Sequence, residues 1–516
     1  MKKKELEEYF KSNKEDWYKT DEKGDKNWDF EKVSEFWQRI RDHKISKGDY
    51  DFSDYIFPEF EDLDKEKIEK DLLGINFSIN IRETKTIFLK KTNFFNAVFL
   101  GNTTFTNYLF EEKVDFSKAV FCEHVDITDC IFNKRVGFNH SIFHEGLGLT
   151  YSEFKSKISF SYVEFKEYVV FNNNIFNELY LWGVNFKKTA YLLNLIINND
   201  AVFGQNVFEE EVNFNDILFK KNVDFSGVVS ELKVVFHKVV FIGKVNFDYS
   251  RIKEKLQILS CSFFNRCTFI NTKLRNLNLE DLNKSITKEE YAHFFFTYKE
   301  NLSDELLEEF RGPFLPPNLI FDSISFDSET LFTRMDLRGV EFYNCDISNI
   351  KFSRCDWNID KKRLVLKNEI KNHRDSEAHY RQLKKNFDSE KNWELSGYSY
   401  VSEMEMRKKR LWKEKKYVDW FIYKFYDFFG GYTQDYVRPL FCLFLLLIVS
   451  SIIYFFIDYN LLKAIQRGLK GSIPYLQIDI EKPFKGYWLI WKNIQLMLSG
   501  TFIAFFILAL RKRFKQ

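Results

Sequence analysis

Residues 88–143 read FLKKTNFFNAVFLGNTTFTNYLFEEKVDFSKAVFCEHVDITDCIFNKRVGFNHSIF, and a large apolar side chain returns through them on a fixed beat. The anchors are Phe88, Phe94, Phe99, Phe105, Phe110, Phe116, Phe121, Ile127, Phe132, Phe138 and Phe143. The beat runs on through Leu149, Phe154, Phe160, Phe165 and Phe171 to Phe176, with steps alternating between six and five, so the true unit is eleven residues. Neither the ~3.6-residue period of a helix nor the ~2-residue period of a strand produces that pattern. A short fixed period marks a stacked array. Two residues before the anchors sit smaller or branched side chains: Ala97, Ala119, Cys130, Ser141 and Ser152, alternating with Val114, Val125, Val136, Ile158 and Val169. Residues two apart on an extended chain face the same side. Each unit therefore turns one large and one small side chain inward and leaves Asn, Lys, Glu, Asp and Ser outside.

A central Phe or Leu, with a small residue two before it and a return about every five positions, resembles the pentapeptide-repeat family. The closest likeness is to its Phe-rich branch with alternating five- and six-residue steps. The resemblance implies a mainly β fold, a right-handed quadrilateral β-helix with four units to a coil, so that two eleven-residue units close one coil here. A sandwich of ordinary amphipathic strands would need turn signals every ~8–12 residues, whereas residues 88–176 contain no Pro and few Gly. The beat slips once after Phe176, where Leu181 and Phe186 come at fives, and resumes to Leu279 with a weak position at Ser230. That span predicts roughly nine coils and, at ~4.8 Å per strand, a rod on the order of 40 Å long.

Composition narrows the rest. The chain has 516 residues, and its 77 basic and 75 acidic side chains leave a net charge of +2. Such balance gives no global argument for a nucleic-acid partner and speaks against a DNA-mimicking, gyrase-binding surface. The N-terminal Met-Lys-Lys-Lys-Glu-Leu-Glu-Glu lacks the apolar core of a signal peptide, so a cytoplasmic N-terminal part is expected. Of seven cysteines, Cys130, Cys261, Cys267, Cys345 and Cys355 fall two before an anchor, where Cys acts as a compact hydrophobe rather than a metal ligand. Histidines do not cluster, and no phosphate loop, nucleophile elbow or zinc motif appears, so neither catalysis nor a cofactor is expected.

The pattern divides the chain. Residues 1–72 read as a helical cap over an exposed sheet edge, with Asp51 to Phe60 as an opening repeat unit and a short helix near 62–72. Residues 73–282 form the β-helix, 283–312 a helical insertion, and 313–360 a second block whose anchors Leu337, Phe342, Ile347, Phe352 and Trp357 come in fives. The insertion either interrupts one solenoid or separates two. Residues 361–435 read as a helical linker in which Tyr380–Phe387, Trp393, Ser396, Tyr400 and Met404 resemble a tetratricopeptide-like helix pair. It ends in Arg407, Lys408, Lys409, Arg410, Lys413, Lys415 and Lys416, with the single acid Glu414, before an aromatic run from Tyr417 to Phe429. A polybasic strip on anionic headgroups, ~1 kcal/mol per charge, followed by an interfacial helix is expected; a solvated helix face is the alternative.

Residues 436–516 are expected to form an all-α, two-helix transmembrane hairpin. Leu440 to Ile457 is 18 residues without a charge, and Leu496 to Leu510 is a second apolar run. Arg511, Lys512 and Arg513 follow the second run, so basic clusters flank both outer ends and predict cytoplasmic termini with 458–485 outside. The last helix resembles that of two-transmembrane, potassium-channel-like domains fused to pentapeptide repeats. The stretch Leu469 to Tyr475 departs from the Thr-Val-Gly-Tyr-Gly filter whose carbonyls hold potassium, so potassium selectivity does not carry over. Polar Asn493, Gln495, Ser499 and Thr501 either line a pore in a homo-oligomer or bond within the hairpin. Lys463, Arg467 and Lys470 share a face that suits an interfacial helix or a pore vestibule. The expectation is a non-enzymatic bacterial inner-membrane protein partnered by the lipid bilayer, its β-helix coupled to a hairpin that oligomerises into a pore. The alternative is an anchored scaffold that binds a protein partner on the β-helix.

Overall fold

In the computed structural model the described residues are 3–12, 14–58, 86–283, 316–369, 373–473 and 486–514. They belong to two compact units, Met1–Trp357 and Asn358–Gln516. The helix expected near 62–72, nearly all of the insertion expected over 283–312, and residues 474–485 of the loop lie outside the described residues.

The first unit is a β-solenoid. Each eleven-residue unit lays down two short strands, and four strands make one coil, as in Ile131–Phe132, Val136–Gly137, Ile142–Phe143 and Leu147–Thr150. Anchors within the strands pair in parallel with their counterparts one coil on, as Phe99 does with Phe121 and Phe121 with Phe143. Among the described residues one face is a ten-stranded sheet and another an eleven-stranded sheet. An eighteen-stranded set wraps the other two faces, because Glu153–Ser159 and Ile175–Tyr180 run unbroken through the corner between them. About ten turns result.

The core is a set of ring ladders. Phe94, Phe116, Phe138 and Phe160 stack with centroids 4.8, 4.7 and 4.9 Å apart and planes within 5°. Those spacings are the strand spacing itself, so each ring lies flat on the ring of the next coil. The small inward positions are equally closed: Ala97, Ala119, Cys130, Ser141, Ser152, Cys261 and Cys267 are buried. Cys355, in the last coil, is only half-buried. Corners are made by residues in the left-handed region, among them Asn96, Lys118, His140, Tyr162, Gly183, Gln205, Gly227, Tyr249 and Asn271. A bulky residue there is strained. His140 and Tyr162 offset this by stacking at 5.2 Å. Gly183 leaves the room they need, since a Cβ on it would stand 2.9 Å from the Tyr162 ring.

The slip in the beat is a shortened corner. Phe154 pairs with Phe176, but Ile158 pairs with Leu179, so one residue is missing between Phe176 and Leu179 while the sheets continue on both sides. The second repeat block stacks directly on the first: Cys267–Ile270 pairs with Leu319–Asp322, and Asn278–Glu280 with Leu331–Thr333. One solenoid is interrupted, not two formed.

At the other end α1 (Lys3–Phe10) and α2 (Phe30–His43) cover the first coil. Phe10 stacks on Tyr55 at 5.0 Å and Trp37 on Phe57 at 5.6 Å, and Phe57 continues the ladder onto Phe99 at 4.9 Å. Residues 18–28 are not helical, contrary to the reading of 1–72 as a helical cap. Tyr18–Thr20 and Lys26–Trp28 form an antiparallel hairpin, because Gly24 at φ +91° turns the polar run between them.

The second unit opens on a small hairpin, Ile359–Asp360 with Arg363–Leu364. Then come α3 (His373–Ser389), α4 (Trp393–Lys413), α5 (Tyr417–Gly430), α6 (Val437–Asp458), α7 (Leu461–Ser472) and α8 (Tyr487–Phe514). Asn392 caps α4 by accepting from Leu395 N–H, which fixes the turn between α3 and α4.

Candidate functional site

α6 and α8 are long and apolar enough to cross a membrane over Val437–Phe456 and Tyr487–Lys512, with only 28% and 22% of their most apolar windows buried. Large apolar side chains such as Phe441, Phe444, Ile452, Met497 and Ile507 stand uncovered along them. Between them the chain does something the sequence reading did not anticipate. Tyr459 takes a left-handed conformation at the end of α6, and Asn460 caps α7 by accepting from Leu462 and Lys463 N–H. The two residues reverse the chain, and α7 runs back along α6.

Two glycines let it lie close. A Cβ on Gly468 would stand 2.5 Å from Ser451 Oγ, and one on Gly471 would stand 2.3 Å from Gln495 Oε1. By Leu469, Ser472 and Ile473 the helix has reached a groove shared with Val437, Leu440, Phe441 and Phe444. α7 is 12 residues, ~18 Å, and so retraces more than half of α6.

Gln495 holds it there. Its amide donates to the Gly468 carbonyl at 2.8 Å and to Ser472 Oγ at 2.7 Å, while its oxygen accepts from Tyr454 OH at 2.9 Å. The Gly468 carbonyl only accepts, so the amide orientation is fixed by its partners. Gln495, Tyr454 and Ser472 are buried, where such a network is strengthened by the low dielectric. One side chain from α8 thus ties together α6, α7 and α8. Ser499, a turn further along, is also buried and bonds back to the Leu496 carbonyl. Asn493 is exposed, and Thr501, half-exposed, bonds the Met497 carbonyl. The four polar residues therefore do not share one face: Gln495 and Ser499 turn inward, Asn493 and Thr501 do not. The three cations of α7 divide as well, with Lys463 exposed and Arg467 buried.

The basic run is largely spent inside the second unit. Arg407 pairs with Glu377 at 3.0 Å and Glu403 at 3.3 Å, and Arg410 with Glu377 at 2.7 Å. Lys408 pairs with Glu405 and Asp427, Lys409 with Glu369, and Lys416 with Glu414. Helical spacing carries Glu403, Arg407 and Arg410 to the side of α4 that meets α3, where Glu377 and Arg381 wait. Lys413 and Lys415 are exposed, and among the described residues no ion pair engages them. At the far end of α8, Arg511 is exposed, Lys512 sits over the Tyr400 ring at 4.1 Å, and the Arg513 side chain is outside the described residues. A uniform polybasic strip is therefore not what the fold presents. Sequence reasoning missed Tyr454, Gly468, Gly471 and Ser472 altogether. The available signal was the Asn460 cap ahead of an amphipathic dodecamer with glycines three apart.

Fold and site together define a β-solenoid followed by a mainly helical unit with two apolar helices and a third folded back between them. Residues 94–142 match the profile of pentapeptide repeats, in nine copies. None of the curated proteins and none of the solved structures matches the chain.

Proposed function

We propose that the chain is a non-enzymatic membrane protein in which the second unit inserts into a bilayer and associates with further copies to form an ion-conducting pore. The observation that carries this is α7, which turns back to mid-depth of α6 and is pinned there by Gln495. Backbone away from a regular spanning helix is tolerated at membrane depth only where protein or a water-filled cavity satisfies it. A half-depth helix held by two buried hydrogen bonds is the arrangement pores use to place backbone carbonyls on their axis. Its C-terminal end carries partial negative charge, which favours cations. In this reading the β-solenoid stays in the cytoplasm as a sensor or scaffold for the pore.

The test is cation flux from liposomes reconstituted with the full chain, alongside its oligomeric state in detergent. Flux that scales with an oligomeric fraction supports the proposal; a strict monomer that inserts without leak removes the pore. A second reading, an anchored scaffold, draws support from the uncovered Tyr151, Tyr162 and Tyr249 on the solenoid exterior. A solenoid that captures a partner from liposomes in which no flux occurs would favour it.

A further inference from the structure

Two ammonium groups converge on one phenol ring in the second unit. Lys384 Nζ, from α3, lies 4.9 Å from the centroid of the Tyr400 ring on α4, and Lys512 Nζ, from the last turn of α8, lies 4.1 Å from it. Among the described residues no carboxylate pairs with either lysine. The ring quadrupole offsets part of their repulsion, and Asp388 acts on Lys512 only from beyond ion-pair distance. Arg381 and Arg407 already share Glu377 and Glu403, at 3.0 to 3.3 Å. Lys384 and Lys512 thus stand outside the ion pairs that engage their neighbours.

The same ring lines a groove of about 540 Å³ with Arg381, Lys384, Glu403, Arg407 and Tyr423, while Lys512 stands over the ring without lining the groove itself. Its two walls differ in chemistry. On the α3–α4 side Arg381, Lys384 and Arg407 outnumber Glu403, whereas α5 contributes Tyr423, Tyr426 and Ile422 and leaves Val418, Phe421 and Phe428 uncovered. A ligand that fits carries anionic oxygens at one end and an apolar body at the other. Phosphate offers several acceptor oxygens to point-charge donors such as lysine.

We propose that Lys384, which lines this groove, and Lys512, over the Tyr400 ring, receive one phosphate group, borne by an anionic phospholipid headgroup or free in solution. The lipid source rests on the membrane reading above; the phosphate chemistry does not. Because Lys512 belongs to α8 and Tyr400 to α4, an occupied site fastens the end of α8 to the α3–α4 pair.

The full chain in an uncharged detergent is titrated with dihexanoyl phosphatidylglycerol, dihexanoyl phosphatidylcholine or inorganic phosphate at constant ionic strength, reading the melting temperature. Phosphatidylglycerol is expected to raise it saturably, phosphatidylcholine not, with an apparent affinity at least tenfold weaker in Lys384→Gln/Lys512→Gln. If inorganic phosphate acts equally well and with the same lysine dependence, the site is a phosphate site served from solution. If neither anion separates the variant from the parent, or if Lys385→Gln/Lys415→Gln weakens binding as much, the attraction is diffuse and the proposal falls. Far-ultraviolet circular dichroism confirms that the variants fold. Flotation with phosphatidylcholine vesicles is scored separately: a parent chain that fails to float defeats the membrane reading, while the soluble-lipid titration still decides the site.

Discussion

The Gln495 amide donates to the carbonyl of Gly468 at 2.8 Å across 27 residues of chain, and this bond fixes where α7 ends. Its removal has a defined consequence. Gln495→Leu deletes three hydrogen bonds and leaves Tyr454 OH and Ser472 Oγ buried with fewer partners. A cost of about 1–3 kcal/mol is expected from an unsatisfied buried group. Thermal unfolding in detergent should show a lowered melting temperature, and Gly471→Leu, which drives a side chain into Gln495, should lower it further. An unchanged melt for both would mean that α7 is not packed on α8.

The ring ladders make a second prediction. Phe138 is buried between Phe116 and Phe160, 4.7 and 4.9 Å away. Phe138→Ala should cost about 3–5 kcal/mol in denaturant unfolding of the solenoid. Gly183→Ala places a Cβ at φ +65° and against Tyr162, and should cost about 1–2 kcal/mol.

Thiol chemistry separates the cysteines. Burial pushes the Cys261 thiol up to about 12 and the Cys345 thiol up to about 11, and holds Cys267 well above the ordinary range. At pH 8 these three should resist iodoacetamide in the folded chain and react fully in denaturant, as read by peptide mass spectrometry. Rapid native labelling of Cys261 or Cys267 would contradict the solenoid register.

Acid should loosen the helix pair. Burial would raise the Glu377 carboxyl, but Arg410 and Arg407 outweigh it and hold the group below its ordinary 4.5. A group with a depressed folded-state pKa contributes stability that is fully present above the unfolded value and lost as pH falls through the folded value. The melting temperature of the second unit should therefore be flat above pH ~5 and fall below ~4.5. Glu377→Gln should remove part of that acid dependence; an unchanged acid limb would show that the pairing is not formed.

The solenoid was legible because its signal is one-dimensional: a six–five beat with Ala97, Ala119 or Cys130 two before an anchor has few other solutions. Even the slip at Phe176 was visible, although only the pairing of Ile158 with Leu179 shows that it is a shortened corner. The apolar helices were legible from composition. The site between them was not, because Gln495, Gly468 and Tyr454 come from three separate helices and nothing in their local sequence links them. The partners of the basic run were hidden for a related reason. Charge counted along the chain points Arg407 and Arg410 at anionic headgroups, while the fold pairs them with Glu377, thirty or more residues earlier.

The central claim is that α7 re-enters the bilayer instead of lying on its surface. Nitroxide labels at Lys463→Cys and Ile473→Cys, in a chain with Cys122, Cys355 and Cys442 replaced by Ser, would report their depths by power-saturation electron paramagnetic resonance in liposomes. Ten residues of helix separate the two positions, so the label at 473 should lie roughly 10–15 Å deeper than the label at 463. Equal depths for both labels would contradict the account.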